Sequence, residues 1–311
     1  MLRRRLAALA FGTALAVVGL GGVEAWCREG ERRLEYLWDS PRLFAVRPGV
    51  AGTNAWGFHE REIRPEPAAG VRRVVVIGDS VTWGAGPAEE AYPRRVEQAL
   101  GPPWQVLNLA HYGYDIRQSA AVLRELGWAY APEIVVYASY TNDPVPSRAI
   151  EVDGGHVWVG EGGFLPPLLR QHSALLRRAE GAVLVRRLQD RPDWEFYSAS
   201  LQDLRDQAVA HGVPLLVLGL VPHVLAEPDL AVCSARVGQP GLCEEHAAIA
   251  DAQEKVAHAL DLPWLGVLPA LRASGRTDFY PPDSRDWQHP GPEGHVVFGG
   301  VLLKLLAPYA G

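Results

Sequence analysis

Lysine is nearly absent from this 311-residue chain, which has only Lys255 and Lys304. Arginine takes its place, a composition bias to which no mechanism attaches. No basic block stands outside the first few residues, and the formal net charge is −6. That argues against a nucleic-acid partner, which needs a basic stripe or patch. Cysteine is scarce too, at three residues, and no Cys-x-x-Cys pair occurs, so a cysteine zinc site has no support. The ten histidines show no His-Glu-x-x-His or comparable spacing, so neither a metal nor a cofactor is expected. Internal repeats and low-complexity tracts are also missing. What remains is ordinary globular composition, 48% hydrophobic and 21% charged, in a chain long enough for one large α/β domain or two small ones.

The first informative segment is "MLRRRLAALAFGTALAVVGLGGVEAWC". Three arginines precede an apolar run from Leu6 to Val23, whose length falls between a signal-peptide core and a spanning helix. Residues 1–25 therefore read as a signal peptide or an N-terminal membrane anchor. Val23-Glu24-Ala25 suits cleavage before Trp26, while bulky Trp26 argues against a lipoprotein at Cys27. A buried helix is the alternative, and it leaves the leading arginines unexplained. Arg28, Arg32 and Arg33 follow the run and weaken the charge asymmetry. The expected location is extracytoplasmic, either secreted or periplasmic, or anchored through residues 6–23. Cys233 and Cys243 fit an exported chain. They lie ten apart in the Gly/Pro loop "CSARVGQPGLC" and are either bridged or two free thiols; a bridge is worth roughly 3 kcal/mol in the chain-entropy picture.

Residues 26–70 form a polar lead-in. From there the pattern becomes regular. Short apolar runs at 73–77, 105–109, 133–138, 213–220 and 264–267 read as strands. Helical spacing appears at 91–100, 116–130, 201–211, 244–260 and 295–306. Strands alternating with helices imply βαβ crossovers and a parallel sheet covered on both faces. An insertion of about residues 144–197 interrupts them. It holds a Gly-rich piece, "EVDGGHVWVGEGG", then an amphipathic stretch with Leu168, Leu169, His172, Leu175, Leu176, Ala179 and Val183 on one face. Such a face is expected to pack on the core, with a lid or a membrane-surface contact as the alternatives.

The stretch "VVVIGDSVTWGAG" (74–86) carries the functional question. It lacks the glycine spacing and the lysine of a P-loop, and Glu89 stands where a dinucleotide fingerprint needs its third glycine. Asp79 and Ser80 could simply cap the next helix. The remaining strand ends decide, because ligands of open parallel sheets bind beyond the carboxyl ends of the strands. The second strand leads to Asn108 and Gly113, the third to Asn142-Asp143. The chain after the fifth strand carries Asp286-Trp287-Gln288-His289-Pro290, then Gly294-His295.

These four blocks, in this order over residues 71–308, resemble the SGNH (GDSL-type) hydrolases. The lead-in "TNAWGFHERE" resembles a segment that precedes the first block in exported bacterial members. The resemblance implies a three-layer α/β/α flavodoxin-like fold with a five-stranded parallel sheet in residues 71–311, and a serine esterase. It implies Ser80 as nucleophile, His289 as its base and Asp286 as the acid orienting that base. The oxyanion donors would be the N–H groups of Ser80 and Gly113 and the Asn142 amide. Asp79 and His295 are expected to fix a turn and to pack. The family's glycine two residues before the asparagine is Tyr140 here, expected to tighten the oxyanion site. The substrate expected is a small-molecule or carbohydrate ester, such as an O-acetyl group on an envelope or extracellular carbohydrate. An O-acyltransferase with the same triad, or an inactive binding module, are the other readings.

Overall fold

The computed structural model describes residues 2–33, 36–37, 42–49, 52–152, 155–160, 162–187, 191–281 and 284–310. The chain divides into two compact units, residues 1–44 with 147–189 and residues 45–146 with 190–311. In chain order the helices are α1 (Leu2–Arg33), α2 (Tyr92–Leu100), α3 (Ile116–Glu125), α4 (Pro167–His172), α5 (Ala174–Leu184) and α6 (Trp194–His211). They continue with α7 (Leu230–Val237), α8 (Leu242–Ala259), α9 (Leu268–Ala273) and α10 (Pro292–Leu306). A single helical turn, Ser80–Trp83, precedes α2.

The larger unit is built on five strands: β1 (Arg72–Gly78), β2 (Trp104–Asn108), β3 (Ile134–Ser139), β4 (Leu215–Gly219) and β5 (Trp264–Gly266). Their order is β2-β1-β3-β4-β5, and every neighbouring pair is parallel. The β-branched run Val74–Ile77 is wholly buried, as a strand covered on both faces should be. Helix α2 packs against α10 and α3 against α6. The sheet thus lies between two helical layers, the α/β/α architecture expected from the alternation of strands and helices.

Strand β2 is an edge, and its outward N–H groups need partners. Carboxylates supply them. Val106 N–H donates to Glu97 Oε2 at 2.8 Å and Asn108 N–H to Glu60 Oε2 at 3.0 Å. Arg61 spans both acids, at 3.1 Å to Glu60 and 2.8 Å to Glu97. The lead-in residues 54–62 therefore close the sheet edge. Asn54 Oδ1 shapes that segment by accepting from Trp56 and Phe58 N–H.

Several boundaries differ from expectation. Helix α6 starts at Trp194, so the insertion ends earlier than 197, and α10 starts at Pro292. The segment read as a Gly/Pro loop holds helix α7 and the start of α8. Local helix formers around Cys233 outweigh the turn residues Gly238, Pro240 and Gly241, which occupy only the link between the two helices.

In the smaller unit, α1 runs past the apolar stretch to Arg33. Residues 149–152 and 155–158, which overlap the Gly-rich piece, pair as two antiparallel strands. The amphipathic stretch is two helices rather than one. Ser173 breaks it, in extended conformation, and its hydroxyl accepts from Leu176 N–H as the cap of α5. Leu168 and Leu169 do not pack on the core, as their face was expected to; both are exposed.

Candidate active site

Ser80 follows directly from the buried strand β1. Asp79 is extended (φ −100°, ψ −158°) and its carboxylate accepts from Val81 N–H at 3.0 Å, which starts the helical turn. Gly84 ends that turn at φ +93°, a backbone that L side chains rarely adopt. Gly78 is fixed by space: a Cβ there would stand 2.9 Å from Thr82 Oγ1 and 3.0 Å from Ala138 O. His59 of the lead-in holds the far side, with Nδ1 3.0 Å from Trp83 O.

Ser80 and the distant pair Asp286 and His289 form one hydrogen-bonded run. Ser80 Oγ lies 2.7 Å from His289 Nε2, and His289 Nδ1 lies 2.6 Å from Asp286 Oδ2. Asp286 Oδ1 accepts from the N–H groups of Gln288 at 3.0 Å and His289 at 3.1 Å. The three-residue spacing thus folds the acid back onto its own histidine. Burial pushes the Asp286 carboxyl up, but the His289 and Gln288 donors outweigh it and hold the group below its ordinary value.

The other expected site residues lie at neighbouring strand ends. Gly113 sits in the turn after β2 at φ +74°. That turn is tied to β1 by His111 N–H donating to Gly78 O at 3.0 Å. Asn142 sits in the turn after β3, its amide beside the Asp79 carboxylate, where it lowers that group's pKa. Asp143 closes the turn, accepting from Tyr140 N–H at 2.8 Å and from the Tyr137 hydroxyl. Asp79 is buried, and burial raises its carboxyl to about 6 against the pull of His289, Val81 N–H and Asn142. Asp79 Oδ2 and Asn142 Oδ1 are both buried without a hydrogen-bond partner. Tyr140 is part of the hydrophobic core, and its backbone carbonyl accepts from Gln253. His295 is buried at the start of α10, close to Tyr92 and Phe298. Among the described residues, no group of three or more His, Cys, Asp or Glu is arranged to hold a metal ion.

No family model matches the chain, and no curated protein matches it. Solved structures do. The lipase/acylhydrolase from Enterococcus faecalis is 15% identical; the match covers 76% of this chain and 96% of that one, with a TM-score of 0.48. A member of the lipolytic protein G-D-S-L family from Veillonella parvula DSM 2008 is 11% identical over 76% of this chain and 99% of that one, at 0.47. The psychrotrophic esterase from a Pseudoalteromonas species is 11% identical over 76% and 98%, at 0.45.

Two histidines at this site escape sequence reasoning. His223, fully buried after β4, donates from Nε2 to the backbone carbonyl of Asp286 at 2.8 Å. It pins the segment that carries both Asp286 and His289. Its position just past a strand's carboxyl end is the one signal that could have flagged it. His246 on α8 lies 2.7 Å from Thr141 Oγ1, and its ring centroid is 5.3 Å from that of Trp287. It is therefore in contact with the neighbours of Asn142 and of Asp286. Nothing in the local sequence marks it. Burial depresses the His246 pKa to about 4. One helical turn before it, Cys243 is bridged to Cys233, with their Cα atoms 6.1 Å apart. Cys27 is free and buried.

Proposed function

We propose that this protein is a serine ester hydrolase of the SGNH (GDSL-type) kind. The observation that carries the reading is the run Ser80–His289–Asp286 at 2.7 and 2.6 Å. A serine hydroxyl is a weak nucleophile near neutral pH and needs a base within hydrogen-bond reach. His289 Nε2 accepts the Ser80 proton as Oγ attacks the ester carbonyl. Asp286 accepts from Nδ1–H, keeps the ring in the productive tautomer and stabilises its cationic form. His289 then returns the proton to the leaving alcohol, and water repeats the sequence on the acyl-enzyme. Charge on the carbonyl oxygen is met by the N–H groups of Ser80 and Gly113 and by the Asn142 amide. One such donor is typically worth about 10²–10³ in turnover.

The substrate proposed is a short acyl ester, an O-acetyl group on an envelope or extracellular carbohydrate. The location proposed is outside the cytoplasm, with α1 as anchor. Supporting the latter, residues 3–32 are a helix whose 18-residue apolar window has a mean hydropathy of 2.1 and is not buried in the protein, so its length and composition suffice to cross a bilayer.

A serine-directed fluorophosphonate tests the nucleophile: it is expected to label the wild type and to spare Ser80→Ala. No labelling of the wild type, or labelling retained in Ser80→Ala, overturns the reading. An ester panel of increasing acyl length tests the substrate class, and preference for long chains removes the acetyl assignment. Acyl transfer to an added oligosaccharide without release of free acid would reassign the site to an acyltransferase.

A further inference from the structure

A buried histidine sets the peptide between Tyr112 and Gly113. In the reaction proposed above, the Gly113 N–H meets the developing oxyanion, so the direction of that N–H matters to the rate. Gly113 lies in its turn at φ +74° and is exposed. His111, two residues earlier, is buried. Its ring stacks on that of Tyr114, with centroids 4.1 Å apart, and meets the Trp83 ring edge-on at 5.4 Å.

Two hydrogen bonds assign the proton of that ring. Val46, in the lead-in, donates its backbone N–H to His111 Nε2 at 2.8 Å. A backbone N–H can only donate, so Nε2 accepts and carries no proton. The proton of the neutral ring is then on Nδ1, which lies 2.9 Å from the Tyr112 carbonyl oxygen. His111 Nδ1–H therefore donates to that oxygen. The Tyr112 carbonyl and the Gly113 N–H belong to one planar unit, and the peptide is trans. The two groups point in opposite directions. Holding the carbonyl toward the ring holds the N–H away from it. The bond also polarises the peptide and makes its N–H a stronger donor. The turn itself is tied down, because His111 N–H donates at 3.0 Å to the carbonyl of Gly78, close before Ser80.

The lead-in fixes the far end of this run. Val46 is buried, and Gly57 packs on it so closely that a Cβ there would stand 2.3 Å from Val46 O. Phe58 N–H donates to Asn54 Oδ1 at 3.1 Å, and His59 Nδ1 lies 3.0 Å from Trp83 O. The same segment thus braces the nucleophile turn directly and the oxyanion turn through His111.

We propose that His111 is a positioning residue for the oxyanion site. With its proton placed on Nδ1 by the Val46 N–H, it aligns the Tyr112–Gly113 peptide before substrate arrives. It acts through that peptide and not on the substrate. This role makes the lead-in part of the catalytic unit, and it rests on Gly113 being an oxyanion donor of the proposed hydrolase.

Three variants of the full chain and one spectrum test it. His111→Phe keeps a stacking ring and loses both bonds; kcat is expected to fall by about 10², with KM nearly unchanged. His111→Asn offers an amide N–H near the Nδ1 position, and His111→Gln offers an amide oxygen near the Nε2 position. The Asn variant should recover part of kcat. The Gln variant, which restores only the acceptor for Val46, should not. Affinity for trifluoroacetone, to whose carbonyl Ser80 Oγ adds to leave a charged oxygen, should follow kcat across the series. Recovery by Gln equal to or above that by Asn, or wild-type kcat in His111→Phe, overturns the proposal and leaves the triad standing. Trifluoroacetone affinity that stays constant while kcat falls does the same, since the loss then lies outside the oxyanion site. Nitrogen NMR of the histidine-labelled wild type should show His111 protonated on Nδ1, its signal assigned by loss in His111→Asn. Protonation on Nε2 overturns the proposal whatever the variants' folding. Ester hydrolysis retained in Ser80→Ala overturns the hydrolase reading and this proposal with it.

Discussion

Asp79→Asn should stabilise this protein while weakening its activity. The Asp79 carboxyl is buried, and burial raises it from 3.8 to about 6. Its unfolded-state value lies near 3.9. The folded state therefore holds its proton more tightly than the unfolded state. The resulting penalty is absent below about pH 4, grows as pH rises through 6, and is complete above it. The difference between the folded and unfolded values corresponds to about 3 kcal/mol. Asparagine keeps the oxygen that accepts from Val81 N–H. It also removes the carboxylate oxygen Oδ2, which is buried without a hydrogen-bond partner. Urea denaturation of wild type and variant across pH 4 to 8 measures the difference. The variant should gain up to about 3 kcal/mol at pH 8, with the gain shrinking toward zero at pH 4. A pH-independent difference, or a less stable variant at pH 8, refutes the assignment of Asp79 as a buried charge. Turnover should fall, because the Asp79 charge attracts the His289 imidazolium, a trade between stability and activity found at many sites.

Other consequences follow from the same geometry. His223→Phe removes the donor to the Asp286 carbonyl; it should cost about 1–3 kcal/mol. It should also lower kcat more than it raises KM, since a displacement of about 1 Å can cost on the order of 10² in rate. His223→Gln should recover part of the loss, and equal kcat in all three proteins would remove His223 from a positioning role. His295 is buried, and burial first, then Arg95 and His289, lowers it to about 4. Its stability contribution is present above pH 6.5 and is lost as pH falls toward 4, on the order of 3 kcal/mol. His295→Phe, beside a cavity of about 160 Å³, should flatten that part of the acid-denaturation profile, and an unchanged slope would refute it. Replacing Cys233 and Cys243 by serine should lower stability by about 3 kcal/mol through the ten-residue separation, read as a reduced urea midpoint. An unchanged midpoint would show that the bridge contributes nothing.

The strand pattern and the four blocks were legible because each depends on local chemistry. Val74–Ile77 is β-branched and short, so it reads as a buried strand without its neighbours. Asp286 and His289 sit three apart, and a short turn is enough to join them. The disulfide pairing, by contrast, was open in the sequence because spacing alone allows a bridge or two thiols.

Other features arise only when distant segments meet. His223 matters because its ring reaches the carbonyl of a residue 63 positions later, a relation with no local periodicity. His246 reads as an ordinary helix residue until α8 brings it to Thr141 and Trp287. Glu60 and Glu97 look like surface charges, yet they are the acceptors for an edge strand that the sequence does not identify as an edge. Leu168 and Leu169 carry the helical spacing of core residues. Spacing records which side chains share a face, while the packing of α5 along α1 decides what that face meets. The sequence by itself determined the alternation of strands and helices, the serine at a strand end and the Asp-x-x-His turn. Tertiary structure decided the strand order, the donors that hold the turn, and which apolar faces stay uncovered, because each of those is a pairing between residues far apart along the chain.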